Sequence, residues 1–284
     1  MMKIAVTGAS GFIGRHVLAE LNLYSAEIVA VTRNICANKP ILNRGRWVTM
    51  DIHHPPANAF EVLECPDILI HLAWQGLPHY KSLHHFDDEL PYQYAFLKQL
   101  IEQGLPSVLV SGTCFEYGMR SGALSEDFET KPVNPYGFAK DTLRKQLQFF
   151  QDTSPFNLTW ARLFYLYGES QPAASLFPQL KKAVEQGLSE FNMSGGEQLR
   201  DYLPVTEVAR KLLMLAFKQE NYGLVNLCSG KPIAVRSLVE KWIKENNWNI
   251  ELNLGYYPYP DYEPMAFWGN DKKINTILAD ESTS

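Results

Sequence analysis

At 284 residues the chain exceeds one average domain, and a dinucleotide-binding half plus a smaller substrate half would use all of it. A hydrophobic fraction of 46% with 20% charged residues supports a sizeable core and argues against a disordered or fibrous protein. The net charge of −5, with both signs scattered along the chain, argues against nucleic acid as a partner.

The four cysteines, Cys36, Cys65, Cys114 and Cys228, form no C-x-x-C pair and no zinc spacing, so they read as reduced thiols and point to a cytoplasmic location without a metal site. The start Met1 to Val6 runs directly into a fold signal without a cleavable apolar stretch. No apolar run reaches the ~18 residues a bilayer span needs, so no membrane partner is expected.

In chain order, apolar runs of strand length at 3–7, 27–32, 46–50, 67–72, 107–111 and 157–163 alternate with amphipathic stretches such as 12–23, 94–103 and 135–150. This repeating pattern predicts an α/β fold: a doubly wound parallel sheet of the Rossmann kind, covered on both faces, with a ligand crevice at the strand carboxyl ends. After Leu163 the alternation loosens into Gly/Pro-punctuated segments. Residues 1–165 are therefore expected to bind a dinucleotide, and 166–284 to form a smaller α+β substrate domain. Its helical patterns lie at 176–185, 205–217 and 235–245, and a strand at 224–228 returns to the main sheet.

The segment Thr7-Gly8-Ala9-Ser10-Gly11-Phe12-Ile13-Gly14 follows the first strand and opens the first helix. Glycines permit the tight turn and close backbone approach to a pyrophosphate, whose charge meets the free N–H groups and positive dipole end of the helix. The second strand ends Val31-Thr32-Arg33-Asn34, without the acidic residue that takes a ribose 2′-hydroxyl. Arg33 either pairs with a 2′-phosphate, which favours NADP(H) over a still possible NAD, or is a solvated surface charge. Asp51 either meets the adenine amino group or caps its own loop.

Tyr136 and Lys140 stand four apart on one face of a helix capped by Asn134 and started by Pro135. Tyr94 and Lys98 share the spacing. Only the first pair follows a strand whose carboxyl end supplies a hydroxyl, Thr113. A phenol must drop about three pKa units to exchange protons near neutrality, asking ~4 kcal/mol of its site, and a cationic Lys140 is expected to provide much of it. In this scheme Tyr136 protonates a carbonyl oxygen held by Thr113 as hydride arrives.

These pieces resemble the extended short-chain dehydrogenase/reductase family, in its nucleotide-sugar epimerase, dehydratase and reductase branch, over almost the whole chain. Beyond the glycine turn and the Tyr136/Lys140 pair, Ser111-Gly112-Thr113-Cys114-Phe115-Glu116-Tyr117-Gly118 is similar to the family's strand carrying the catalytic hydroxyl. His71-Leu72-Ala73 is similar to its fourth-strand motif. Arg200-Asp201-Tyr202-Leu203-Pro204-Val205 resembles the segment whose arginine binds a sugar-nucleotide diphosphate. Arg200 has a second reading, an ion pair with a nearby carboxylate.

The resemblance implies catalysis by Thr113, Tyr136 and Lys140. It implies cofactor contacts from Gly8, Gly11, Phe12, Ile13, Gly14, Arg33, Asp51, Ile52, Leu72, Ala73, Trp74, Ser111, Tyr136, Lys140 and Phe164, and substrate contacts from Thr113, Tyr165 and Arg200. Tyr165 replaces an Asn common in the family, implying a different sugar pocket. Dehydratases of this branch follow the catalytic Thr with Asp-Glu; here Cys114-Phe115 follow, which disfavours dehydration. Cys114 reads as a small buried apolar residue, and the histidines of the first third as surface or packing residues.

The expected function is NADPH-dependent reduction of the 4-keto group of a nucleotide-linked 4-keto-6-deoxyhexose. The alternatives are an NAD-dependent sugar-nucleotide 4-epimerase using the same residues and a non-catalytic dinucleotide-sensing regulator. The resemblance also implies a homodimer formed through the helices of 94–103 and 135–150.

Overall fold

The structure is a computed structural model and describes residues 1–34 and 39–279. Cys36 lies outside the described residues. Strands β1 (Lys3–Thr7), β2 (Glu27–Thr32), β3 (Gly45–Thr49), β4 (Ile68–His71), β5 (Ser107–Thr113), β6 (Asn157–Leu163) and β7 (Gly223–Leu227) form one seven-stranded sheet in the order β7-β6-β5-β4-β1-β2-β3. Every pairing in it is parallel. The helices are α1 (Phe12–Leu21), α2 (Ala59–Val62), α3 (Leu90–Glu102), α4 (Pro135–Gln151), α5 (Leu176–Glu185), α6 (Val205–Phe217), α7 (Val235–Glu245) and α8 (Lys272–Ala279). Strand order reverses between β1 and β4, which opens a crevice at their carboxyl ends.

Alternation along each strand divides the core in two. Ile4, Val6, Ile28, Ala30, Ile68 and Ile70 face Val17 and Leu21 of α1, Leu212 of α6 and Ile274 of α8. Ala5, Val29, Val31 and Leu69 face Phe96 and Leu100 of α3 and Leu143 and Leu147 of α4. Both faces are buried, which is why the strands read as near-continuous apolar runs.

Helix α6, read from sequence as part of the substrate lobe, packs instead on α1 beneath the sheet, with Val208, Leu212 and Leu215 fully or almost fully buried there. Its apolar stripe fits the sheet face that β7 extends. The chain thus returns to the dinucleotide half through α6, β7 and α8. The remaining C-terminal segments build a smaller core from Leu180, Phe191, Val239 and Trp242. Short pairings tie this lobe to the main body: Gly122–Leu124 with Phe267–Gly269, and Tyr165–Tyr167 with Tyr202–Pro204.

Candidate active site

The glycine turn is built as a cradle. Gly8 has φ +66, and a Cβ there would lie 2.8 Å from Ala73 N; a Cβ on Gly14 would lie 2.2 Å from Gly8 O. Gly11 is the N-cap of α1 and offers no side-chain acceptor, so no side chain at that position caps the first-turn N–H groups. A cleft of ≈ 450 Å³ opens in front of them, walled by Gly8, Gly11, Phe12, Ile13 and Gly14 on one side and Leu72, Ala73 and Trp74 on the other. Arg33 and Ile52 complete its far end. Tight backbone, uncapped N–H groups and an arginine at the rim fit the pyrophosphate and adenosine end of a dinucleotide. Arg33 is exposed and donates from Nη1 to Gln75 Oε1 at 2.6 Å. Asp51 is exposed and accepts from His53 N–H at 3.1 Å, the loop-cap arrangement.

The cleft continues past Phe12, Ile13, Leu72 and Trp74 into a second cavity of ≈ 710 Å³ under the C-terminal lobe. Ser111, Thr113, Tyr136, Lys140 and Phe164 line it, and Tyr165 and Arg200 lie in its deeper wall. β5 ends at Thr113, whose hydroxyl accepts from Phe115 N–H while Glu116 reaches back to accept Thr113 N–H at 2.9 Å. Asn134 Oδ1 accepts from Gly137 N–H at 2.8 Å to start α4. At Gly137 a Cβ would meet Phe115 O at 2.7 Å, so only glycine lets α4 approach the turn that follows Thr113. This contact delivers Tyr136 and Lys140 to the end of β5.

Lys140 is 1% exposed and donates to Ser111 O at 2.9 Å, with its ammonium 4.0 Å from the centre of the Trp74 ring. Burial pulls its pKa down to about 7, with Glu116 and Glu89 opposing the fall. Burial raises the Tyr136 phenol above its ordinary value, Tyr80, Glu116 and Cys114 add to the rise, and the Thr113 hydroxyl opposes it. The lowering of Tyr136 by Lys140 anticipated from sequence is therefore not what this environment produces. Desolvation dominates both groups, and the phenol holds its proton.

Arg200 is 2% exposed and satisfied by protein: Nε and Nη2 donate to Glu263 at 3.2 and 2.8 Å, and Nη1 donates to Leu199 O and Met265 O. Of its two readings the ion pair is present, buried rather than at the surface. Tyr165 donates its hydroxyl to the same Glu263 carboxylate. Cys65, Cys114 and Cys228 are free thiols, and burial pushes Cys114 far up.

Sequence reasoning missed Glu263 and the histidine network. Glu263 sits sixty-three residues from Arg200, beyond any local pattern. The histidines do more than cover surface. His71, fully buried, accepts from the Thr7 hydroxyl at Nδ1 (2.8 Å) and donates from Nε2 to Gln93 (2.5 Å). His53 and His84 approach the buried Glu89 carboxylate at 3.0 and 3.5 Å, and the His85 ring stands 5.3 Å from that of Tyr136. Their clustering within 53–85 was the available signal, but only packing joins them.

A parallel sheet with its cleft at the switch point, headed by a glycine cradle, is a dinucleotide-binding architecture, and with the family match that follows it makes this chain an NAD(P)-dependent enzyme of the extended short-chain dehydrogenase/reductase type. Residues 4–228 match the NAD dependent epimerase/dehydratase family, and the chain belongs to that family. It is 30% identical over 270 residues to the dTDP-6-deoxy-L-talose 4-dehydrogenase (NAD(+)) of Aggregatibacter actinomycetemcomitans, covering 94% of this chain and 99% of that protein. To the dTDP-6-deoxy-L-talose 4-dehydrogenase (NAD(P)(+)) of Kitasatospora kifunensis it is 26% identical over 276 residues, covering 91% and 83%. The solved structure of MoeE5 in complex with UDP-glucuronic acid and NAD shares the fold, with a TM-score of 0.83 at 24% identity over 98% of this chain and 92% of that one. Among the described residues no helix is long and apolar enough to cross a membrane.

Proposed function

We propose that this enzyme interconverts the 4-keto and 4-hydroxyl forms of a nucleotide-linked 6-deoxyhexose, acting as an NADPH-dependent reductase of the 4-keto sugar. The observation that carries this reading is the gathering of Thr113, Tyr136 and Lys140 at one end of the larger cavity, with Cys114-Phe115 where a dehydratase needs its acids. Similarity along nearly the full chain to two enzymes named for oxidation at C4 of a dTDP-6-deoxyhexose supports it.

Bound at the glycine turn, the dinucleotide supplies the hydride. The Thr113 hydroxyl holds the C4 oxygen, and Tyr136, protonated in this environment, donates its proton as charge develops there. Lys140, anchored on Ser111 O, sets the electrostatics beside the phenol. Arg33 at the cleft rim favours NADP(H) over NAD. We assign the segments after residue 165 that lie outside α6, β7 and α8 the sugar-nucleotide side, with Tyr165 and Arg200 shaping the pocket, and place the enzyme in the cytoplasm as a homodimer joined through α3 and α4, where Phe138 and Phe149 are exposed.

The test is NADPH oxidation with a panel of nucleotide-linked 4-keto-6-deoxyhexoses, alongside mass analysis of the purified protein. Consumption with one donor is the expected result. Stoichiometric bound NAD with 4-epimerisation and no net NADPH consumption overturns the reductase in favour of an epimerase.

A further inference from the structure

The segment preceding α3 is not ordinary helix: His85–Glu89 forms a five-residue π-helical turn that runs directly into it. Such turns are rare and concentrate at functional sites. This one ties down Trp74 twice. The Trp74 indole N–H donates to His85 Nδ1 at 3.1 Å, and the next peptide, Gln75 N–H, donates to Glu89 Oε2 at 3.0 Å. His85 is itself fixed, since its Nε2–H donates to His79 O at 3.1 Å, which settles the tautomer that leaves Nδ1 free to accept. The indole is thereby held with its face to the Lys140 ammonium, 4.0 Å from the ring centre, and in a T-shaped contact with Tyr136, ring centres 6.0 Å apart.

We infer that Trp74, clamped by His85 and the π-helical turn, is a positioning residue that holds the Lys140 ammonium against Ser111 O and keeps it charged. The inference rests on the role proposed for Lys140 in the reaction, but the contact it describes belongs to the protein alone. An aromatic face in a desolvated site stabilises a cation more strongly than one at the surface. No other aromatic ring has Lys140 over its face among the described cation–ring contacts. The titratable groups around Lys140 are Glu116 in the turn after β5, Glu89 and His85 in the π-helical turn, His71 in β4, and Tyr136 on its own helix. Glu116 and Glu89 favour its charge from a distance; Trp74 does so by contact.

The test is an NMR titration of the protein labelled with [ε-13C]lysine, without substrate, with the Lys140 signal identified by its loss in Lys140→Arg. Trp74→Leu is expected to lower the Lys140 midpoint by about one pH unit. Trp74→Phe keeps a ring face and retains most of the midpoint. His85→Phe removes the acceptor, so the Trp74 indole N–H resonance moves upfield and the Lys140 midpoint falls. An unchanged or raised midpoint in Trp74→Leu, or an unchanged midpoint and indole resonance in His85→Phe, overturns the inference. His85→Phe and Trp74→Phe keep it testable if Trp74→Leu does not fold. Because no sugar is present, a wrong substrate assignment leaves this outcome unaffected.

Discussion

Arg162 donates from Nε to the Glu116 carboxylate at 2.6 Å, and both side chains are completely buried. The same carboxylate accepts the Thr113 N–H and, at 2.9 Å, the Trp160 indole N–H, so one ion pair braces the turn that carries the proposed catalytic hydroxyl. Removing Arg162 leaves the buried Glu116 charge with the more distant Arg144 guanidinium, 3.8 Å away, as its remaining ion-pair partner among the described residues. Arg162→Met is expected to cost roughly 3–5 kcal/mol in urea denaturation, and the Arg162→Met/Glu116→Leu double variant to recover part of that loss. Losses that simply add would show that the pair is not coupled.

Acid stability should report His71. Burial depresses its pKa to about 3, against an unfolded value near ~6.5. Below the unfolded value the unfolded chain takes up a proton that the folded site refuses. Stability therefore falls as pH drops from about 6.5 toward 3, by up to about 1.4 kcal/mol per pH unit from this group. Denaturation curves across that window should lose up to one proton's worth of slope in His71→Phe, and an unaltered slope would assign acid sensitivity elsewhere.

Tyr136→Phe is expected to reduce kcat by a factor of about 10² to 10⁴ while dinucleotide binding persists, since only the proton donor is removed. With Lys140 at about 7, its charged form declines as pH rises through neutrality. Wild-type kcat/KM, which reports the free enzyme, should accordingly fall on the alkaline side with a midpoint close to that value. A flat profile between pH 6 and 8 would separate Lys140 charge from turnover.

Replacing Arg33 addresses cofactor choice. Arg33→Ala removes the cation at the cleft rim and leaves Gln75, its present partner, in place. A charge-assisted contact of ordinary strength predicts a rise in KM for NADPH of about 10- to 100-fold with KM for NADH little changed. Equal changes for both cofactors would remove Arg33 from 2′-phosphate recognition.

Gly14→Ala would place a Cβ 2.2 Å from Gly8 O and 2.8 Å from Ala9 Cα, all backbone, so α1 must move off the turn. The expected cost is about 1–3 kcal/mol in stability together with weakened dinucleotide binding, read by denaturation and by calorimetric titration. Full retention of both would show that the cradle relaxes freely.

Local chemistry made much of this protein legible from its sequence. Near-continuous apolar strands alternating with helical periodicity encode a two-faced parallel sheet, because each strand must satisfy both layers. The glycine turn before α1 and the Asn134-Pro135 start of α4 are equally local, since their backbone geometry depends on residues a few positions apart. Tertiary structure decided what depends on desolvation and on long-range contact. Helix α6 has the same apolar stripe wherever it packs, and only the fold seats it on α1. Arg200 has two readings in sequence, a phosphate ligand and an ion pair, and the partner that makes the second, Glu263, lies sixty-three residues along the chain. The spacing of Tyr136 and Lys140 is visible in sequence, but the pKa of each is set by burial, which pulls the lysine down and pushes the phenol up. Spacing places two groups on one face of a helix; the dielectric around them is a property of everything packed against that face.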